Sequence, residues 1–130
     1  MRLYVVRHAK AAPGEPDALR PLTHAGHEAA RALARRLVDD GVSLDAVLTS
    51  PLLRARQTGE ALARAAGIVA EPDERLAPGA TAAGVRAVTQ GRGDHVAVVG
   101  HQPDCSQIVA TLTGGPEPAF PTGGMVAIDL

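Results

Sequence analysis

Hydrophobic and polar positions along the chain fall into two kinds of run. Leu3-Tyr4-Val5-Val6 and Val96-Ala97-Val98-Val99 are apolar throughout and rich in β-branched residues, as strands covered on both faces of a sheet must be. Between them the period lengthens. Ala30, Leu33, Ala34, Leu37 and Val38 recur at i, i+3, i+4, i+7 and i+8, while Arg31, Arg35 and Arg36 lie off that stripe, which predicts an amphipathic helix. Thr23 can cap its start and Gly41 ends it.

The same alternation continues. Residues 11–21 read as a loop and 44–49 as a second strand; Ser50-Pro51 reads as an N-cap followed by proline at the first helical position, opening a helix that runs to about Gly67. Residues 68–71 predict a brief edge strand, 72–79 an irregular segment, and 81–90 a third helix weakened by Gly84. Gly91-Arg92-Gly93 is a turn before the second apolar run, 103–113 is helical, 114–124 is loop, and 125–130 is a last strand. The order β-α-β-α-β-α-β-α-β predicts an α/β fold: a three-layer α/β/α sandwich with helices on both faces of a mostly parallel sheet of about five strands.

Composition narrows the function. The 130 residues are one domain's worth of chain, and 13 Lys+Arg against 14 Asp+Glu give no whole-domain attraction to nucleic acid or an acidic membrane. Aromatics make up 2% of the residues, so base stacking is not expected either. Cys105 is the only cysteine and reads as a buried spectator in a reducing compartment. The opening residues are too short an apolar run for a signal-peptide core, and no run reaches membrane-spanning length, so a soluble, cytoplasmic protein is expected.

Both apolar runs end on a histidine. Val6 is followed by Arg7-His8 and Val99 by Gly100-His101, and in open α/β sheets the ligand crevice lies beyond the carboxyl ends of the strands. Arg54 falls in the first turn of the helix opened near Ser50-Pro51, where free N–H groups already favour an anion. His8, His101, Arg7 and Arg54 together describe a cationic pocket suited to a phosphoryl group, with an imidazole as nucleophile. The guanidinium charges should lower the His8 pKa and free its nitrogen near neutral pH. No metal or other cofactor is expected, since no His-x-x-x-His spacing occurs and the arginines would repel a cation. His24, His27 and His95 read as surface or capping residues, and Arg31, Arg35, Arg36, Arg56 and Arg64 as solvated helix faces.

Those residues resemble the histidine phosphatase, or phosphoglycerate mutase-like, superfamily, and within it the small SixA-like phosphohistidine phosphatases. Leu3-Tyr4-Val5-Val6-Arg7-His8-Ala9 is similar to the Arg-His-Gly signature, Arg20-Pro21-Leu22-Thr23 through Gly26 to the opening of the first helix, Ser50 through Thr58 to the second signature, and Gly100-His101-Gln102-Pro103 to the third. The resemblance implies one histidine phosphatase domain over residues 1–130. It assigns His8 as nucleophile, Arg7 and Arg54 as phosphate-binding residues, and His101 as both a catalytic and a phosphate-binding donor.

Two departures bear on the substrate. Ala9 stands where the family has glycine, and Pro78 stands where relatives carry the glutamate that protonates the leaving group. A positioned general acid is typically worth roughly 10²–10⁴-fold in rate, whereas an imidazole leaving group asks far less. The missing acid favours phosphohistidine on a signalling or phosphotransfer protein. Asp73, Glu74, Glu15 or Asp17 could still supply a proton from a loop, which keeps open a phosphatase for small phosphorylated metabolites. A phosphate-binding module without turnover is the third reading.

Overall fold

The computed structural model describes residues 1–130. Strands β1 (Arg2–Arg7), β2 (Ala46–Thr49), β3 (Glu71–Pro72), β4 (His95–Gly100) and β5 (Met125–Asp129) form one sheet in the order β3-β2-β4-β1-β5. All neighbours are parallel except β5, which runs antiparallel to β1. Helices α1 (His24–Asp39), α2 (Leu53–Ala66), α3 (Ala82–Thr89) and α4 (Asp104–Thr113) connect them. None is long and apolar enough to cross a membrane.

The two-residue period of the strands divides the core into two layers. Leu3, Val5, Leu48, Val96 and Val98 face α3 and α4, where Val85, Val88, Ile108 and Val109 cover them. Tyr4, Val6, Val47, Ala97 and Val99 face the other way, against Leu33, Ala34 and Leu37 of α1 and Leu62 and Ala63 of α2. The chain leaves β1 for one face through α1 and leaves the adjacent β4 for the other face through α4. The crevice between these two carboxyl ends is therefore a topological switch point.

Local signals hold at most boundaries and fail at two. The Thr23 side chain accepts from the Gly26 amide, capping α1 as expected. A Cβ on Gly26 would lie 2.2 Å from the Lys10 carbonyl oxygen, so only glycine lets α1 start this close to the segment leaving β1. Ser50, however, is not the cap of α2. That helix begins at Leu53, with Leu52 as a cap that offers no side-chain hydrogen bond. The edge strand also sits later than expected, at Glu71–Pro72, because the Ile68 amide still bonds back to Ala63 across the Gly67 turn and Val69 projects into solvent at 80% exposure.

Candidate active site

Register brings three strand ends together. Arg7 pairs with Gly100 and Thr49 with Val99, so the next residues, His8, His101 and Ser50, leave three adjacent strands side by side. Backbone bonds extend the ladder by one step: the His8 amide donates to Gly100 O at 3.0 Å and the Ser50 amide to Val99 O at 2.9 Å. The His8 and His101 rings lie 5.3 Å apart between centroids, tilted by 54°.

The two rings are held differently. His8 Nδ1 lies 2.7 Å from its neighbour's carbonyl, Ala9 O, which can only accept; Nδ1 therefore carries the ring proton and Nε2 keeps its lone pair. Burial is the main cause that lowers the His8 pKa below its ordinary value, with Arg54, Arg7 and Arg20 adding to it. The arginines act in the direction expected from sequence but rank behind desolvation. His101 is buried, and its Nε2 sits 2.8 Å from Ser50 Oγ. A serine oxygen that accepts from the Leu52 amide keeps both a second lone pair and its own proton, so the pair has two possible polarities; with the hydroxyl donating to His101 Nε2, the ring proton sits on Nδ1. That Nδ1 is buried without a partner. Burial, followed by the facing His8 and Arg54, pushes the His101 pKa down to about 4, so the ring is neutral at pH 7.

Each arginine is steadied by a loop. Arg7, the last residue of β1, donates to Phe120 O at 2.9 Å, and its buried Nε has no partner. Arg54, in the first turn of α2, donates to the Asp17 carbonyl at 3.0 Å and to its carboxylate at 3.2 Å. Thr58, one turn further on, accepts from the Ala9 amide at 3.0 Å and donates to Arg54 O at 2.8 Å, tying the loop after His8 to the arginine's helix. The four residues singled out from the sequence thus converge on one spot, where two arginines and a bare imidazole nitrogen lie beside a buried ring nitrogen that has no partner.

Sequence reading missed several supporting groups. Arg20 reaches the Asp17 carboxylate at 3.0 Å and contributes positive charge at His8, so a third arginine borders the pocket. Asp17, Ser50 and Thr58 orient the site through partners 37 to 51 residues away, contacts without a local signature. Of the loop carboxylates considered as acids, Asp17 is held below the ordinary carboxylate range by its hydrogen bond to Arg20 and by Arg54. Hydrogen bonds from Arg75 pull Asp73 down to about 2. Both are ionised at neutral pH and have no proton to give. Glu74 and Pro78 are exposed, and the next amide, Gly79 N, is tied to the Asp104 carboxylate.

The other residues stand apart from this cluster. His24 pairs with Glu28 on the exposed side of α1, and His95 stacks on Tyr4 at the opposite end of β4. Burial drives the Cys105 thiol up to about 12, which fits an unreactive packing role.

Residues 3–78 match the model of the histidine phosphatase superfamily (branch 1). The phosphohistidine phosphatase SixA of Escherichia coli (strain K12) is 33% identical over 138 residues, covering 100% of this chain and 86% of that protein. An uncharacterized protein of Picosynechococcus is 38% identical over 124 residues, 88% of this chain and 74% of the other. The solved structure of the protein histidine phosphatase SixA complexed with tungstate superposes with a TM-score of 0.90 at 32% identity, covering 100% of this chain and 88% of its own. Motif order, sheet topology and relatives agree: the chain belongs to the histidine phosphatase superfamily, as a SixA-like member with the phosphoglycerate mutase-like α/β fold.

Proposed function

We propose that this phosphatase removes the phosphoryl group from phosphohistidine on a protein, without a metal, and that residues 1–130 form a single catalytic domain. His8 is the nucleophile, and Arg7, Arg54 and His101 hold the transferred group. The observation that carries the proposal is the 2.7 Å contact of His8 Nδ1 with Ala9 O, which leaves Nε2 unprotonated beside two guanidinium groups.

The first step forms a bond from His8 Nε2 to phosphorus as the bond from phosphorus to the substrate imidazole breaks and its electron pair leaves with that ring. A substrate ring protonated on its other nitrogen departs as neutral imidazole, so the enzyme need donate no proton. The His8 ring gains positive charge on phosphorylation, and its Nδ1–H bond to Ala9 O strengthens with it. Arg7 Nε and His101 Nδ1, both buried and without partners, are donors available to the phosphoryl oxygens. In the second step water attacks phosphorus, the P–N pair returns to Nε2, and inorganic phosphate leaves with one proton of the water passed to solvent.

Substrate choice rests on the leaving group. Asp17 and Asp73 are paired with arginines and Pro78 occupies the family's acid position, which leaves only the exposed Glu15 and Glu74 among the loop carboxylates and favours a leaving group that needs no proton. The relative that carries the name phosphohistidine phosphatase supports the same choice, and the SixA structure solved with tungstate, an oxyanion of phosphate's shape, supports a phosphoryl site. The cytoplasm, where a lone thiol such as Cys105 stays reduced, is the compartment this chemistry suits.

Rapid mixing with a phosphohistidine protein labelled in the phosphoryl group, quenched without acid and mapped by peptide, tests the mechanism. Label on His8 is expected; turnover with label on another residue overturns it. Faster release from sugar or nucleotide phosphates than from the phosphohistidine protein overturns the substrate assignment, and binding without release makes the protein a phosphate-binding module.

A further inference from the structure

A groove of about 340 Å³ runs between α1 and α2, outside the catalytic cluster. Its floor is made of alanines, Ala34, Ala61 and Ala65, whose short side chains leave the space, and its walls carry Arg31, Arg35 and Arg64. All three arginines are exposed, and none lies within 4.0 Å of a carboxylate. Glu60 is the one carboxylate on the lining. Arg31 and Arg35 stand four apart on the same helix, a like-charge spacing that weakens the free helix and is relieved when an anion lies between them. The chain as a whole has a formal charge of −1, so this positive strip is a local feature.

Direction links the groove to the phosphoryl site. α1 and α2 each follow a strand of the parallel pair set, so both start at the carboxyl edge of the sheet where His8 and Arg54 lie. The groove opens at His27 and Gln57, one helical turn inward from Arg54, and ends at Arg35 and Arg64. From Arg54 to Arg64 the axial rise is about 15 Å. A partner whose phosphohistidine sits at His8 can lay the neighbouring two to three turns of its own helix, or a strand, along this strip.

We propose that the groove between α1 and α2, walled by Arg31, Arg35 and Arg64, docks an acidic segment flanking the phosphohistidine of the protein substrate. The proposal rests on the phosphohistidine reading above. Charge complementarity selects an acidic partner, and the lining contains no Phe, Tyr or Trp on which nucleic acid bases could stack.

The test uses two synthetic peptides that each carry one phosphohistidine, one with glutamates and one with glutamines in the following two turns. The wild-type protein is expected to turn over the acidic peptide with a KM roughly tenfold lower, at equal kcat, and the preference should vanish in 0.5 M salt as screening sets in. The variant Arg31→Gln/Arg35→Gln/Arg64→Gln should lose the preference in low salt while hydrolysing phosphoimidazole at the wild-type rate. Equal KM values for the two peptides in the wild type, or a preference that survives in the variant, overturn the docking proposal. Fluorescence anisotropy with the unphosphorylated peptides reads the groove independently of chemistry. Failure to hydrolyse either phosphopeptide, with acidic-peptide binding intact and lost in the variant, would refute the phosphohistidine reading and leave the groove standing. Tighter binding of a single-stranded oligonucleotide than of the acidic peptide would overturn the choice of partner. The salt experiment on the wild type needs no substitution, so a variant that folds poorly does not blunt the test.

Discussion

The ends of β1 and β4 are near-copies in sequence and opposites in chemistry. Each is a run of four apolar residues closed by a histidine one position beyond the last paired residue, and the two rings end 5.3 Å apart. Yet His8 is half-buried with its proton fixed on Nδ1 by a backbone carbonyl, whereas His101 is buried with its Nε2 held by a serine hydroxyl. The first arrangement exposes a lone pair and suits the proposed nucleophile. The second keeps a ring nitrogen, Nδ1, buried and without a partner, and suits the proposed donor. Which nitrogen is tied, and by what, separates two roles that the strand pattern alone assigns to either residue.

Exchanging the roles is the strongest way to break this comparison. His8→Ala should reduce phosphatase turnover by about 10⁴-fold or more and abolish the labelled phosphoenzyme, because no other side chain supplies the bond to phosphorus. His101→Ala should cost less, roughly 10²–10³-fold, and should still accumulate label on His8, because it removes a donor and not the nucleophile. Rapid-quench labelling of the two variants checks both outcomes; loss of label in His101→Ala, with label retained in His8→Ala, would invert the assignment.

Titration sharpens the same contrast. Since the His8 pKa lies below its ordinary value, kcat/KM should stay level as pH drops through 6.5 and fall only at more acidic pH, about tenfold per unit once Nε2 is protonated. A profile already falling between pH 7 and 6.5 would contradict a depressed His8. Stability should respond too, with a definite sign. The unfolded chain binds a proton at His101 near pH 6.5 while the folded one does so only near 4, so unfolding is favoured as pH falls across that window. The contribution is roughly 1–3 kcal/mol, and comparing urea midpoints of wild type and His101→Gln at pH 7 and pH 4.5 measures it. The lowered His8 shifts stability in the same direction over the same window, and the lowered carboxylates Asp17, Asp45 and Asp73 do so mainly at still lower pH, which is why the comparison needs the variant.

Sequence legibility follows the range of the interactions involved. β1, β2 and β4 could be read because burial on both faces imposes an unbroken apolar run, and the α1 stripe because one face meets the sheet. His8, His101, Arg7 and Arg54 were legible from their places at strand and helix ends, which the fold carries to one crevice. Ser50 was misread as a helix cap because Ser-Pro is also a cap signal; its real partner, His101, is 51 residues away and invisible to any local rule. The same holds for the Asp17 hold on Arg54 and the Thr58 link to Ala9. At the sheet edge, two residues of β3 pair only with Leu48 and Thr49, too short a run to impose a pattern.

Ser50 gives the smallest effect and the finest test of how the two histidines differ. Its hydroxyl is not bonded to His8 and is no part of the cationic set; in the proposed site it acts through His101, donating to Nε2 and so keeping the proton on Nδ1. Ser50→Ala frees that ring to carry its proton on either nitrogen, so a fraction of the enzyme presents a lone pair where a donor is needed. A loss of about tenfold in kcat, with KM for a small phosphoramidate little changed, is expected if the donor acts on the transition state. The buried Nε2 left unpaired should also cost about 1–3 kcal/mol of stability. Ser50→Thr restores the hydroxyl and should restore kcat, and nitrogen-15 shifts of the His101 ring should report the proton on Nδ1 in wild type and Ser50→Thr but mixed tautomers in Ser50→Ala. If Ser50→Ala lowers stability while the His101 tautomer and kcat stay as in wild type, the serine only packs. The unequal division of labour between the two strand ends would then have to rest on burial alone.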